Sequence, residues 1–298
     1  MAGEGTYHHL EFPPARLAAQ RCATVSVCLP ARNEEATIGP ILDAILPLAE
    51  AGVVDQVVVV DESTDATADI AQERGAEVYR QSDLQAAFGP VQGKGDAMWR
   101  ALEVLTSEVV CYVDADSRDF GAHFVCGLIG PLVCDSPGPS MVKGFYRRPF
   151  DSGNGAPKPE GGGRVTELTA RPLLAAFYPE LAIIQQPLAG EIAARRELLD
   201  SLAFTTGYGV DIGLLIDTWE LCGIAGIAQV DLDQRQNRHR PLSELAPMAA
   251  AVTESLLDRV RRTGQLVGTV PGAAAALATM MPEAIERPPA ASLRAVPA

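Results

Sequence analysis

The chain is predicted to fold as a mixed α/β protein on a parallel sheet, and three observations carry that prediction. Short runs of β-branched residues alternate with segments of helical periodicity through the first half of the sequence. Parallel strands need long crossover connections, so this alternation reads as consecutive βαβ units. Each apolar run is followed at once by a polar cluster, and open parallel sheets gather ligands at the carboxyl ends of their strands. Finally, 298 residues with 47% hydrophobic and 21% charged side chains can bury a sizeable core, which excludes a disordered chain.

Taken in order, 24–29 (TVSVCL) is a compact strand stopped by Pro30, and 34–46 has apolar residues at helical spacing. Residues 56–60 (QVVVV) suit a strand covered on both faces. The polar break DESTDAT leads into a helix over 68–74 and a strand over 76–80. GKGDAMWRALEVL is amphipathic and helical, and 109–113 (VVCYV) is the next buried strand. Residues 22–120 therefore form a nucleotide-binding half. In the second half, 151–163 is rich in Gly and Pro and is expected to be a mobile loop. Helices are expected over 164–177, 191–202, 209–221 and 243–262, with an edge strand over 226–231. Residues 1–21 read as an N-terminal extension, with His8 and His9 in an exposed turn, and 286–298 as a disordered tail. There is no internal repeat.

The charge balance, 24 Lys+Arg against 38 Asp+Glu, gives −14. That argues against a nucleic-acid surface, which needs clustered cations, but leaves room for a small anion held by a few local Arg or Lys. The N-terminus lacks a signal-peptide pattern, and the apolar stretch LVGTVPGAAAALATMM is too interrupted to span a membrane. Six cysteines show no C-x-x-C pair, and Cys28 and Cys111 fall inside strand-like runs as small hydrophobes. A cytoplasmic setting with reduced thiols follows as the expectation.

Four clusters carry chemistry. Asp114-Ala115-Asp116 ends an apolar run, and alternation on an extended chain turns both carboxylates to one side, where they can share a hard cation. A divalent ion so held can stabilise a leaving nucleoside diphosphate; the alternative is a solvated acidic turn. Pro30, Ala31, Arg32, Asn33 and Glu34 open a helix whose unpaired N–H groups suit a base and ribose, or else form a turn with Asn33 as the helix cap. Asp61 and Ser63 offer an acceptor and a donor to a base, or an N-cap with Ser63 or Asp65. Gly93-Lys94-Gly95 allows close backbone approach with one positive charge for a base carbonyl or phosphate. Neither a P-loop nor a dinucleotide fingerprint is present.

PARNEE, VVDEST, QGKGDAMW and VDADS stand in the order and spacing of GT-A glycosyltransferases. With KGFYRRPF, GGGRVTEL, QPLAGE and YGVDIGLL added, the chain resembles, over about 22–262, the retaining glucosyl-3-phosphoglycerate and mannosyl-3-phosphoglycerate synthase family. The resemblance implies a GT-A fold, a Rossmann-like nucleotide half (22–120) merged with an acceptor half (121–262) and a C-terminal helix. It implies a homodimer that uses Mg²⁺ or Mn²⁺ to move a hexose, most simply glucose from UDP-glucose, to 3-phosphoglycerate or a similar small polar acceptor. No nucleic-acid or membrane partner is implied. By the same resemblance Pro30, Ala31, Arg32 and Glu34 embrace the nucleoside, Ser63 and Lys94 contact the base, and Asp114, Ala115 and Asp116 hold ribose, metal and diphosphate. Asp116 would be the principal metal ligand. Gly163, Arg164, Val165 and Thr166 would bind the acceptor's carboxylate and phosphate, with Leu188, Ala189 and Gly190 lining the sugar pocket.

Two departures bear on specificity. Asp211 stands where the family's motif has Glu, a contact to the sugar hydroxyls, so the carboxylate is kept about one methylene shorter. The family's H-R-N-R reads Asn237-Arg238-His239-Arg240 here, which puts Asn237 at the metal position and His239 at the acceptor position. Either His239 still reaches the metal, or ligation is weakened and the acceptor site altered. A paralogue acting on a sugar or cyclitol, a sugar-nucleotide pyrophosphorylase and a non-catalytic nucleotide-sugar binder are the competing readings.

Overall fold

The computed structural model describes residues 5–135, 137–149, 162–236, 241–264 and 285–294. Its strands are β1 (Thr6–His8), β2 (Val25–Ala31), β3 (Gln56–Asp61), β4 (Glu77–Arg80), β5 (Val109–Tyr112), β6 (Met141–Arg147), β7 (Ile192–Arg195), β8 (Phe204–Thr205), β9 (Ile227–Gln234) and β10 (Glu286–Arg287). Eight form one sheet in the order β1-β9-β6-β7-β5-β2-β3-β4, and β8 pairs with β10 apart from it. Within the large sheet β7 alone runs against its neighbours, β5 and β6. The carboxyl ends of β2, β3, β5, β6 and β9 and the amino end of β7 therefore share one edge, where a site belongs in such a sheet.

Alternation along the central strands feeds two cores. Val57 and Val59 of β3 join Val27, Cys111 and Phe124 on one face; Val58 and Val60 join Cys28, Tyr112 and Trp99 on the other. The first face is covered by α1 (Pro14–Gln20), α2 (Ile38–Glu50), α3 (Thr67–Glu73) and α5 (Ala122–Val133). The second is covered by α4 (Gly93–Ala101) and α7 (Arg196–Ser201). A third core joins α6 (Arg171–Phe177), α8 (Val210–Cys222) and α9 (Leu242–Arg262). The short α10 (Ala290–Arg294) follows β10.

Several expectations need correction. Strand β2 continues through Pro30 to Ala31. Pro30 faces the β5 side, and β5 has already ended opposite Cys28, so proline's missing N–H costs no ladder bond. Residues 191–202 are not one helix: β7 precedes α7, because the small Ala193 and Ala194 fit between β5 and β6. β9 runs to Gln234 and is interior, covered by β1. The helix expected over 164–177 widens into a π-turn at Thr166–Ala170, where the Arg171 N–H reaches back to the Thr166 carbonyl. Pro172, with no N–H of its own, disfavours the regular turn there.

The two ends also depart from expectation. The described part of 1–21 belongs to the fold: β1 pairs with β9, and Phe12 fills space over Gly130, where a Cβ would strike its ring. His9 is not in a free turn; its Nε2 lies 2.7 Å from Asp233 and its ring lies against His123, tilted by 49°. Residues 286–294 are not a disordered tail. Arg287 is buried against Asp96, and the Trp99 indole donates to the Pro288 carbonyl at 2.8 Å. Most of the loop expected over 151–163 lies outside the described residues. Among the described residues no helix is long and apolar enough to cross a membrane, and all six cysteines are free thiols.

Candidate active site

The turns after β2, β3 and β5 are tied to one another. Asn33 takes the left-handed conformation (φ 59°), its N–H donates to Ser63 Oγ at 2.7 Å, and its Oδ1 accepts the Thr64 N–H at 2.9 Å. Ser63 donates through both N–H and Oγ to Asp61. The Thr37 hydroxyl donates to the Ala115 carbonyl at 2.7 Å, which fixes the β5 turn against the start of α2. Asn33 is therefore a bridge between turns and not a helix cap: α2 begins only at Ile38. Asp65, not Ser63, accepts the Thr67 N–H at the start of α3. Arg32 is exposed at the rim, with Pro30 and Ala31 forming the floor beneath it.

The acidic pair lies one turn away. Arg235, which follows β9, is buried, and its Nη2 lies 3.1 Å from Asp114 Oδ2 and 2.8 Å from Asp116 Oδ1. Its Nη1 lies 2.8 Å from Glu191, and its Nε donates to Ser117 at 2.7 Å. Both carboxylates thus converge on one guanidinium, and Asp116, the more exposed of the two, also lines the adjoining cleft, where its hard oxygens suit a divalent cation. Tyr146 donates to Glu191 Oε2 at 2.6 Å and accepts from Arg235 and Arg148. On the other side Lys94 Nζ lies 2.7 Å from Asp114 and 3.4 Å from Asp211. Gly190 permits this: a Cβ there would run into Lys94 Nζ and the Asp114 carboxylate.

These charges shift one another. Burial pushes the Asp114 carboxyl up, but the Lys94 and Arg235 cations outweigh it and hold the acid below the ordinary range. Lys94 is raised in turn, its two carboxylates overcoming burial. Asp211 and Glu191 stay above the carboxylate range, because burial prevails over their cationic neighbours. Lys143 on β6, buried with its ammonium 3.0 Å from the Ala189 carbonyl, is lowered to about 8 by burial despite the nearby Asp211.

A cleft of about 150 Å³ opens beside the acidic pair, lined by Asp116, Leu188, Asp211, Arg148 and the Gly163–Thr166 turn. Gly163 has φ +72°, a turn that feeds the backbone into the helical segment beginning at Arg164. Tyr208, Leu245, Met248 and Val252 complete the lining. Among the described residues Asp211 Oδ1 is buried without a hydrogen-bond partner. The structure so gathers Asp114, Asp116, Lys94, Asp211, Gly190 and the 163–166 turn at one edge, with the Asp61–Ser63 and 30–34 turns adjoining. Asn237 and His239 lie outside the described residues. Sequence reasoning missed Arg235, Glu191, Tyr146, Lys143 and Tyr208, although all but Arg235 stand inside or beside the quoted motifs.

The model of Glycosyl transferase family 2 matches residues 26–158. A glucosyl-3-phosphoglycerate synthase of Mycolicibacterium smegmatis is 49% identical over 244 residues, covering 81% of this chain and 79% of its own. The chain belongs to the glucosyl-3-phosphoglycerate synthase family. It is a nucleotide-sugar-dependent glycosyltransferase of GT-A fold. The crystal structure of mannosyl-3-phosphoglycerate synthase from Rubrobacter xylanophilus superposes with a TM-score of 0.87 at 42% identity, covering 97% of this chain and 96% of that one. Glucosyl-3-phosphoglycerate synthase from Mycobacterium tuberculosis, in complex with Mn²⁺, UDP-glucose and phosphoglyceric acid, gives 0.81 at 40% identity, over 97% and 98% of the two chains. Another structure of that enzyme holds Mg²⁺ and UDP.

Proposed function

We propose that this enzyme transfers glucose from UDP-glucose to 3-phosphoglycerate with retention at the anomeric carbon, using Mn²⁺ or Mg²⁺. The observation that carries the reading is the cleft itself. A buried, unpartnered Asp211 oxygen, the Asp116 carboxylate, Arg148, Arg164 and Thr166 belong to the lining of one small cavity. A sugar supplies hydroxyl donors for the Asp211 oxygen, and a phosphorylated carboxylic acid supplies anions for the two arginines.

Asp114 and Asp116 would hold the metal, which supplies charge stabilisation for the leaving diphosphate. Arg235 ties the pair to Glu191, so the carboxylates are set before donor arrives. Lys94 spans Asp114 and Asp211 and so fixes the sugar-facing carboxylate relative to the acidic pair. The 30–34 turn and the Asp61–Ser63 turn, locked by Asn33, form the nucleoside side. The Gly163–Thr166 turn offers N–H groups and the Arg164 fork to the acceptor's anions. No side-chain nucleophile is needed: the leaving diphosphate takes the acceptor proton on the same face, which preserves configuration. A homodimeric cytosolic enzyme accords with this reading, and sedimentation of the purified chain tests the dimer.

The deciding assay offers UDP-glucose or GDP-mannose with Mn²⁺ to 3-phosphoglycerate or to unphosphorylated polyols. A phosphorylated glucoside whose anomeric proton shows retention is the expected product. Product only with unphosphorylated acceptors would overturn the acceptor assignment, and preference for GDP-mannose would overturn the donor.

A further inference from the structure

We infer that Arg287 is a positioning residue of the transfer site: through Asp96 it holds the first turn of α4, and with it the Lys94 ammonium between Asp114 and Asp211. The inference deepens the reading of the site given above and rests on it.

The first turn of α4 is intrinsically weak. It carries Gly95, about 1 kcal/mol poorer than alanine in a helix, it opens at Gly93 in the left-handed conformation (φ +76°), and the Gln92 side chain supplies no cap. The glycines answer to close packing. A Cβ on Gly95 would meet the Thr205 carbonyl oxygen, and one on Gly93, at φ +76°, would lie 3.2 Å from Gly207 Cα. The Lys94 turn is thus pressed against β8 and the turn that follows it.

The strap at 285–294 secures both partners. β10 pairs with β8, and the Thr206 N–H donates to the Ile285 carbonyl at 2.8 Å. Arg287 then reaches into α4. Its Nε and Nη2 lie 2.7 and 3.1 Å from the two oxygens of Asp96, a fully buried carboxylate. Asp96 in turn accepts the Gln92 N–H at 2.9 Å and so caps the turn that presents Lys94. Arg100 also pairs with Asp96, 3.1 Å away, so loss of Arg287 leaves that carboxylate a counter-ion. What is lost is the bidentate link from β10 to the lysine-bearing turn, together with the hydrogen bond from Arg287 Nη1 to the Phe88 carbonyl at 2.9 Å. Other anchors of the strap, Trp99 to Pro288, Arg294 to Asp200 and Glu286 to Arg262, touch neither Asp96 nor Lys94.

The test is a cycle of Arg287→Met, Lys94→Met and the double variant, with Arg287→Lys and Arg294→Ala beside it. Each is measured for Tm, for kcat and KM of both substrates, and for UDP-glucose affinity with Mn²⁺ by calorimetry. Arg287→Met should lower donor kcat/KM about 10- to 100-fold, the scale of a small misplacement of a catalytic group, and leave the phosphoglycerate KM unchanged. Arg287→Lys should recover part of the loss, and Arg294→Ala should match the wild type. In the Lys94→Met background the Arg287 change should add less than twofold, because both act on one group. Independent multiplication of the two effects, or a lowered Tm with unchanged kcat/KM, would overturn the inference. If the wild type transfers glucose to no acceptor, the proposed function fails by itself. The same cycle read on UDP-glucose affinity then decides the role of Arg287.

Discussion

Gly190→Ala separates the electrostatic arrangement of the site from the stability of the fold. The added methyl would overlap Lys94 Nζ and both oxygens of Asp114. All three atoms are the ends of side chains, so the backbone has no reason to yield. Lys94 and the carboxylate must part by about 1 Å to restore ordinary contact. The cost to the fold should stay near 1 kcal/mol, at the low end of overpacking. The cost to catalysis is larger, since a misplacement of that size at reacting groups removes about 100-fold, or roughly 2.7 kcal/mol of barrier reduction. Steady-state kcat/KM for UDP-glucose, measured beside a melting curve, should show that fall with a Tm drop of only a few degrees. An activity within threefold of the wild type would refute the claim that the Lys94–Asp114 contact organises the site.

Asp116→Ala should abolish transfer and weaken Mn²⁺ binding, measured by electron paramagnetic resonance, with the circular dichroism spectrum unchanged. Lys143 gives a signed pH dependence. Its folded pKa of about 8 lies below the 10.5 of an exposed lysine, so between those values the unfolded chain holds more protons and stability rises with pH. The slope is at most about 1.4 kcal/mol per pH unit, and denaturant titrations of Lys143→Met should lack it. Asp55 accepts from Arg21 at the mouth of β2 and from the Val25 N–H at 2.8 Å, and the Arg21 hydrogen bond holds its carboxyl below the usual range. Asp55→Asn should cost about 1 kcal/mol at pH 7. Because the folded pKa is depressed, that difference should shrink as pH falls below about 4.

How legible the molecule was depends on how local each cause is. The clusters after β2, β3 and β5 could be read because a parallel sheet delivers successive strand ends to one edge, whatever lies between them. Ile192–Arg195 could not be read: Ala, Arg, Glu and Leu around it favour helix, and only β5 and β6 on either side make it a strand. Helix α5 left no amphipathic signal because it is buried nearly all round and carries Gly127, Gly130 and Pro131. Residues 286–294 looked structureless because a two-residue strand and a five-residue helix are too short to show a period. Their order comes from partners distant in sequence, among them Asp96, 191 positions before Arg287, and Trp99 of the same helix. Arg235 is one of several arginines after a strand, and nothing in its neighbours marks it as the cation that the acidic pair shares.

That shared cation explains how four carboxylates can sit in one partly buried site. Lys94, Lys143 and Arg235 stand among Asp114, Asp116, Glu191 and Asp211, with Arg148 and Arg164 on the adjoining cleft, so the negative charges are met within the chain. Uncompensated, such carboxylates would repel one another and gain protons instead of ligands. With the balance already met by the chain, a divalent cation alone would bring excess positive charge, and a diphosphate alone excess negative charge. Together they are close to neutral. On the proposed reading the metal and the nucleoside diphosphate would enter such a site together, each offsetting the charge that the other brings.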